Sequence, residues 1–433
     1  MSYRPSRGLV LCLAPLLAIG GTGAWAWSKT SQSALHEHAA GDFMALASKR
    51  REGGEERKED SPAARKAMRE GCAALKAKML EEYPGLRIEQ KPVPDEVNAF
   101  LQFYKISCMP QGSRPTMSDS LRALLDANSP WDLEKVKAAL AEDPEFVALA
   151  EKIAAMHDRS SSHMPEDYVG FIAARTAKEM SDVLVLKARV AAEEGNEVEA
   201  LRLVSAIRNL GADFREIEER NLLTETVAIL VDLNALKSSF QHLLPSLGPD
   251  IDLAQWKEAF ATTKGYTPAD FADVRRGEWS TTSEFFLYPA ILRQKPADGE
   301  ALARFDAASY EKLVNELPGT SWAEFAKKGS LSFLGEMDGF SSKSREIAEA
   351  FATGNSEWNK GYMRAVSLMA IQQAALDLLI LEQNGEALGM ESASKLKPDP
   401  VSGKSYRFDP VTRTLSPPEE IAESKVESVK LPW

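Results

Sequence analysis

The sequence predicts an all-α protein, an antiparallel stack of helical hairpins with one small C-terminal β-hairpin. Helix-capping residues recur along the chain, apolar residues follow them at helical spacing, and alternating runs of β-branched residues are scarce. Apolar residues make up 44% of the 433 residues, which is ordinary for a folded protein and too high for a wholly disordered one. The predicted regions are 1–27, 28–61, 62–250 and 251–433.

Residues 1–27 have the features of an export signal or a membrane anchor. Arg4 and Arg7 precede an uncharged run over residues 8–27. A basic flank before an apolar run is typical of chains entering the secretory route, and about 20 helical residues can cross a bilayer. We therefore expect residues 1–7 to stay inside and everything after residue 28 to face outward, on the periplasmic side of a bacterial envelope.

Cleavage and retention of this segment both remain open. Ala24-Trp25-Ala26 fits the small-x-small pattern of a signal peptidase site, with cleavage after Ala26. Trp25 and Trp27, however, occupy positions where interfacial aromatic residues hold a retained helix. The protein is thus expected to be secreted across the membrane or anchored in it through residues 8–27.

Residues 28–61 are predicted to form a charged stalk or linker. From residue 49 to residue 60 the sequence is of mixed charge around Gly53-Gly54, with almost nothing to bury. Such composition is typical of a solvated helix or a disordered tether.

Residues 62–250 are predicted to form an array of α-hairpins. The first three helices each start at or beside a proline, which suits the first helical turn, and they cover 62–83, 95–107 and 144–156. Three longer helices are predicted at 166–194, 197–210 and 213–244. Gly195 and Gly211 separate the longer helices, and Val198 is expected on a buried face. The short turns are similar to those of tetratricopeptide arrays, although no second copy recurs at a fixed period.

Residues 251–433 are predicted to form a second, looser helical region. Its predicted helices cover 252–262, 268–276, 308–316, 320–328, 343–353 and 357–383. Alternating residues over 405–415 surround an Asp409-Pro410 turn and predict the β-hairpin. A tail rich in Pro, Glu and Lys follows.

Charge and motifs exclude several classes of function. The chain has 52 Lys+Arg against 64 Asp+Glu, a net charge of −12, whereas nucleic-acid binding needs clustered cations. We find no phosphate-binding loop, nucleophile elbow or zinc-protease motif, and therefore expect no cofactor. His36-Glu37-His38 lies on the predicted stalk with no third ligand nearby, so no metal site is predicted.

The richest polar cluster runs from His157 to Asp167. It combines the serine, histidine and carboxylate residues that nucleophilic catalysis requires. Catalytic triads are usually assembled from distant segments, however, and such residues in a loop between helices commonly cap helix ends. The sequence therefore assigns no catalytic residue, and an envelope hydrolase that uses this cluster is the alternative function.

Cys72 and Cys108 are candidates for a disulfide bond. If helices 62–83 and 95–107 form a hairpin, the two cysteines lie roughly 17 and 20 Å from its turn, at about 1.5 Å per residue. An oxidising compartment would permit the bond, and the chain-entropy model values its loop closure at about 4 kcal/mol. Two separately buried thiols are the other interpretation.

Three stretches resemble an uncharacterised family of bacterial envelope proteins that have an N-terminal membrane segment and a helical exported domain. Residues 91–99 read Lys-Pro-Val-Pro-Asp-Glu-Val-Asn-Ala, similar to the opening of that family. Residues 192–233 resemble its helical pair, and residues 275–278 its Arg-Gly-Glu element. Residues 397–408 resemble its closing element, with Val401 in place of the usual Phe, and are also faintly similar to the C-terminal part of type II secretion pseudopilins.

The resemblance implies a location and a fold, and it brings no known activity. Because no catalytic motif is convincing, the function predicted from sequence is that of a non-enzymatic cell-envelope scaffold or adaptor. Its expected partner is an envelope protein or peptide, bound by the helical array.

Overall fold

The computed structural model describes residues 62–109, 113–125, 130–162, 171–261, 265–328, 339–422 and 426–433. Across these residues the protein is helical, with one small antiparallel sheet near the C-terminus, which confirms the predicted fold class. The export segment 1–27, its cleavage candidate Ala26 and the stalk 28–61 lie outside the described residues.

The helices and strands are numbered here in chain order. The first eight helices are α1 (Pro62–Glu82), α2 (Ala99–Cys108), α3 (Asp119–Leu124), α4 (Leu133–Glu142), α5 (Pro144–Ala154), α6 (Phe171–Glu193), α7 (Glu197–Arg215) and α8 (Leu222–Ser238). The remaining helices are α9 (Leu244–Leu247), α10 (Leu253–Phe260), α11 (Pro268–Thr282), α12 (Tyr288–Gln294), α13 (Gly299–Glu316), α14 (Trp322–Lys328), α15 (Ser342–Gln383) and α16 (Glu419–Ala422). The strands are β1 (Arg407–Asp409), β2 (Thr414–Ser416) and β3 (Val429–Lys430).

The chain forms two compact units that are interleaved along the sequence. The first unit takes its described residues from the chain up to Arg87, from Trp279–Asn315 and from Lys328–Tyr362. The second takes them from the ranges Ile88–Glu278, Glu316–Lys327 and Met363–Trp433. The first long stretch of the second unit runs past residue 250 to Glu278, and the predicted division into regions 62–250 and 251–433 stays a prediction.

The second unit is built on α6, α7 and α8, which pack on one another. Gly195 has a φ of 71° and forms the tight turn between α6 and α7, as its position before the Asn196 cap predicts. Helices α2, α4 and α5 pack on α6, and α10 packs on α7. The predicted stack of successive long helices is therefore the centre of this unit.

Two predictions about α7 are wrong. Gly211 does not end the helix, which continues to Arg215. A Cβ atom on Gly211 would lie 2.8 Å from Oδ1 of Asp232, so the glycine serves the close approach of α8. Val198 is 81% exposed, although its spacing placed it on the buried face.

The helix expected to begin at residue 213 begins at Leu222. Asn221 caps it, accepting hydrogen bonds from the backbone N–H groups of Leu223 and Thr224, both at 3.0 Å. The Thr224 hydroxyl accepts in turn from the Asn221 N–H, which completes a capping box. The α-helix ends at Ser238. The chain then forms a π-helical turn, Ser239–Leu243, which leads directly into α9.

The sequence analysis missed several helices and divided one. Helices α3, α4 and α12 and the first half of α13 were not predicted. The two helices predicted at 343–353 and 357–383 are one helix of 42 residues, α15. Gly354 and Asn355 lower helix propensity at the expected break without stopping the helix. Residues Asn359–Gln383 of α15 have the length and composition to cross a membrane, but 67% of the apolar stretch is buried in the protein.

The predicted β-hairpin is present as β1 and β2, and β3 adds a third strand that the sequence analysis missed. The strands are antiparallel in the order β1-β2-β3. Leu415 pairs with Phe408 on one side and Val429 on the other, and all three side chains are buried. Asp409 holds the connecting turn by accepting hydrogen bonds from the Val411 N–H (2.9 Å) and the Thr412 hydroxyl (2.7 Å).

The first unit contains α1, which packs on α12 and on the π-helical turn Ser283–Leu287. Arg304 of α13 forms an ion pair with Glu82 of α1 at 2.7 Å. Helix α2, which ends at Cys108, belongs to the second unit. Cys72 is a buried free thiol and Cys108 an exposed one, and their bonding in an oxidising compartment stays a prediction.

Candidate functional site

The loop after α5 contains the first half of the polar cluster that the sequence singled out. Asn98 ties this loop to the start of α2: its Oδ1 accepts from the Leu101 N–H (3.2 Å) and the Ser160 N–H (3.2 Å). Its Nδ2 donates to the Ser160 carbonyl (2.9 Å). Asn98 is fully buried, so this amide joins two segments in the interior and also caps α2.

The serines of the loop are held by Glu218, in the turn after α7. The N–H and the hydroxyl of Ser161 donate to Glu218 Oε2 at 2.9 and 3.1 Å, and the Ser160 hydroxyl lies 3.1 Å from the same oxygen. Glu218 is thus the acceptor that fastens the loop to the end of α7.

Among the described residues, the cluster does not combine a hydroxyl with an imidazole. The His157 side chain is exposed and forms no hydrogen bond or ion pair within the part of the chain that the structure describes. His163, Glu166 and Asp167 lie outside the described residues. Nucleophilic catalysis needs the imidazole beside the attacking oxygen, so the geometry of residues 157–162 is that of a structural loop.

Arg159 extends from the same loop toward α7. Its Nη2 donates to Asn209 Oδ1 (3.0 Å), and its Nη1 lies 3.6 Å from Asp213 Oδ1 and 3.4 Å from Glu216 Oε2. Asp213 is completely buried, and neither carboxylate oxygen has a hydrogen-bond partner. Burial raises the pKa of the Asp213 carboxyl well above its ordinary value, although Arg159 opposes the shift.

A second polar cluster is a buried ion network between α7 and α8. Arg215 of α7 contacts both Asp232 of α8 and the hydroxyl of Tyr266. The Tyr266 hydroxyl donates to Asp232 at 2.6 Å, and Arg208 reaches the other carboxylate oxygen at 2.8 Å. Burial lowers and Asp232 raises the pKa of Arg215, and the net shift is upward.

The network continues through Arg220 to α11. The Arg220 guanidinium donates to the Arg215 carbonyl at 3.0 Å and also contacts the Asp270 carbonyl. Gly277 lets α11 approach this segment, since a Cβ there would lie 2.0 Å from the Arg220 carbonyl oxygen. These charged groups face one another in the interior, so the network joins α7, α8 and α11.

An open groove lies at the C-terminal sheet, where the β1–β2 turn meets the end of β3. Its volume is about 600 Å³, and its lining residues are Val411, Thr412, Arg413, Thr414, Lys430, Leu431 and Trp433. Val411 is 90% exposed and Trp433 is 37% exposed, whereas Leu431 is buried beneath them. Exposed apolar side chains are ordinary on a protein surface, and two of them line this groove.

Arg413 supports one wall of the groove. It has a φ of 53°, a left-handed conformation that costs energy for a residue with a Cβ. Its guanidinium forms two hydrogen bonds with the Glu382 carboxylate, at 2.8 and 2.7 Å, and a third with the Pro432 carbonyl at 3.3 Å. The arginine thus connects α15, the hairpin turn and the segment after β3.

The sequence analysis did not find this groove, and it assigned no cofactor or metal site. No group of three or more metal-ligating side chains occurs within the described ranges. An exposed Val in a turn and a Trp at the end of a charged tail are weak signals in a sequence. Only the third strand, which was not predicted, brings them together.

Comparisons with known proteins give no relative from which to assign the site. No protein-family model, no curated protein and no solved structure matches the chain. The likeness to bacterial envelope proteins therefore stays a resemblance carried by the three stretches described above.

Proposed function

We propose that the protein is a non-enzymatic adaptor of the bacterial cell envelope that binds a protein or peptide partner. The groove at the C-terminal sheet carries this proposal, because it presents two exposed apolar side chains, Val411 and Trp433, beside a buried apolar floor. Partner sites in proteins combine such apolar anchors with a polar rim.

The internal use of the polar clusters supports an adaptor over a hydrolase. The serines of residues 160–162 are engaged with Glu218 or with one another. The guanidinium groups of Arg208 and Arg215 face Asp232 inside the protein. These internal hydrogen bonds and ion pairs hold the surface of the protein in a fixed shape. A surface that is already ordered loses less conformational entropy when a partner binds.

The N-terminal segment supports the location. Arg4 and Arg7 precede an uncharged stretch long enough to cross a membrane, and a charged stalk follows it. On this proposal, the stalk places the helical domain on the outer side of the cytoplasmic membrane, where an envelope partner is within reach.

Capture of partners from intact cells tests the proposal. The tagged full-length protein is crosslinked in the cells that naturally make it, and partners are quantified for the natural chain, Val411→Glu and Val198→Glu. Val198 is the matched control, because it is an 81% exposed valine in the same unit and lies outside the groove. We expect one stoichiometric partner whose recovery falls at least about tenfold in Val411→Glu and is unchanged in Val198→Glu.

The purified full-length protein is screened in parallel against ester, peptide and glycan substrates. Turnover that disappears in a folded His157→Ala variant would establish the hydrolase instead. Equal partner recovery from both valine variants would show that the groove is not the binding site.

A further inference from the structure

No strand pairs with the outer edge of β3 in the part of the chain that the structure describes, and β3 also packs on the π-helical turn Ser239–Leu243. Strand β2 pairs with β1 and β3, and β1 packs on the 3₁₀ segment Met390–Lys395. The Leu431 N–H donates to the Arg413 carbonyl at 2.8 Å, so Leu431 faces β2. Because backbone groups alternate in direction along a strand, the N–H and carbonyl of the exposed Lys430 face away from β2.

The charge of the groove favours an acidic ligand. Of its described lining residues, only Arg413 and Lys430 are charged, and both are basic. Glu382 neutralises Arg413 with two hydrogen bonds. Lys430 has no ion-pair partner among the described residues and is exposed beside the open edge. The groove therefore has one cation without an ion-pair partner, Lys430, in a chain whose net charge is −12.

The conformation of Arg413 is a third observation at the same place. Left-handed backbone at a non-glycine residue persists where the surroundings hold it, and it is common at the end of a β-hairpin loop. Here Glu382 and the Pro432 carbonyl hold the arginine, which fixes the spacing between the turn at Val411 and the segment that ends at Trp433.

We propose that the groove binds an extended acidic peptide segment of the partner, which adds to β3 as a further strand. This inference rests on the proposed adaptor function and names the class of partner. Backbone groups of the peptide pair with the outward N–H and carbonyl of Lys430, a carboxylate of the peptide pairs with its ammonium group, and an apolar side chain packs on the exposed Trp433. Strand addition to an open edge obtains affinity from the backbone and specificity from the alternating side chains.

Synthetic peptides test the inference with the full-length protein in detergent. The first probe is a fluorescein-labelled octapeptide of alternating valine and glutamate, and the second replaces glutamate by lysine. Two further versions of the acidic peptide carry backbone N-methyl groups, on the valines in one and on the glutamates in the other. Only one of these two sets of N–H groups can face β3, because backbone groups alternate in direction.

We expect the acidic peptide to bind at least tenfold more tightly than the basic one. One N-methylated version should lose binding, and the other should stay within about threefold of the parent, as edge pairing requires. Lys430→Glu should weaken binding of the acidic peptide at least tenfold, whereas Lys397→Glu, at an exposed lysine of the same unit, should leave it unchanged.

The outcomes separate this inference from the proposed function. No preference for the acidic peptide, or equal effects of both methylation patterns, would overturn the added strand, even if partner capture still depended on Val411. Loss of that dependence in cells would overturn the adaptor proposal itself.

Discussion

Asp213 is a completely buried carboxyl group with no hydrogen bond to either oxygen. Because burial raises its pKa, the folded protein binds its proton more tightly than the unfolded chain does. The contribution of Asp213 to stability is therefore fully present below its unfolded pKa and is lost as the pH rises through its folded pKa. Ionising the group inside the folded protein costs free energy, since a buried polar group without a hydrogen bond costs about 1–3 kcal/mol, and Arg159 at 3.6 Å offsets part of that cost.

Asp213→Asn removes this cost. We expect the variant to be more stable than the natural chain by about 1 kcal/mol at pH 7, with the difference shrinking toward pH 4. Urea unfolding of both proteins between pH 4 and pH 8 measures it. Asp250→Asn, at an exposed position, is the control and should change nothing. A variant that is less stable than the natural chain at pH 7 would mean that Arg159 and ionised Asp213 form a net stabilising pair.

At the scale of single elements, the close contact between α11 and the segment before α8 depends on Gly277. A Cβ there would lie 2.0 Å from the Arg220 carbonyl oxygen, and the clash is with backbone that a rotamer change cannot relieve. Alanine is favoured over glycine in helices by about 1 kcal/mol, so propensity alone predicts stabilisation by Gly277→Ala. We expect instead a loss of about 3 kcal/mol, since overpacking moves the backbone.

Gly319→Ala is the control for this variant, because a Cβ at Gly319 meets nothing within 4 Å. Its unfolding free energy should stay within about 0.5 kcal/mol of the natural value. Denaturant unfolding of the two variants, compared with the natural chain, measures both effects. Equal stability of the two alanine variants would contradict the tight packing of α11.

Elements with strong local signals were predictable, and elements that depend on tertiary packing were not. Helix α7 was predictable from the Asn196 cap after Gly195, and the β-hairpin from the Asp409-Pro410 turn. The hydrogen bonds of such caps and turns form between residues that are close in sequence. Gly211 resembled a helix end because the sequence does not show Asp232 packed against it. Strand β3 escaped prediction because its two residues lie in a charged tail and are ordered by pairing with β2.

The candidate site was also predictable only as far as local sequence signals allow. It identified the cluster from His157 to Asp167 by residue type alone. The actual partners of residues 160 and 161 are Asn98 and Glu218, about 60 positions away in each direction. The groove could not be predicted from the sequence, because Val411 and Trp433 become neighbours only when the sheet forms.

For the whole molecule, the proposed location predicts the behaviour of a reporter enzyme. Alkaline phosphatase fused after residue 60 should be active, because it folds only when exported to an oxidising compartment. Replacing Arg4 and Arg7 by glutamate removes the positive flank and should reduce the activity severalfold. Inactive phosphatase in the natural fusion, with an active cytoplasmic reporter at the same site, would contradict export.

Site-specific photocrosslinking in intact cells tests the adaptor account most directly. A photoreactive amino acid replaces Val411 in the groove or, as the control, the similarly exposed Val198 on α7. The account predicts one discrete crosslinked partner at position 411, lost when Lys430→Glu is added, and none at position 198. Crosslinks of equal pattern at both positions would contradict it, whereas a position-411 crosslink that survives Lys430→Glu would overturn only the added strand.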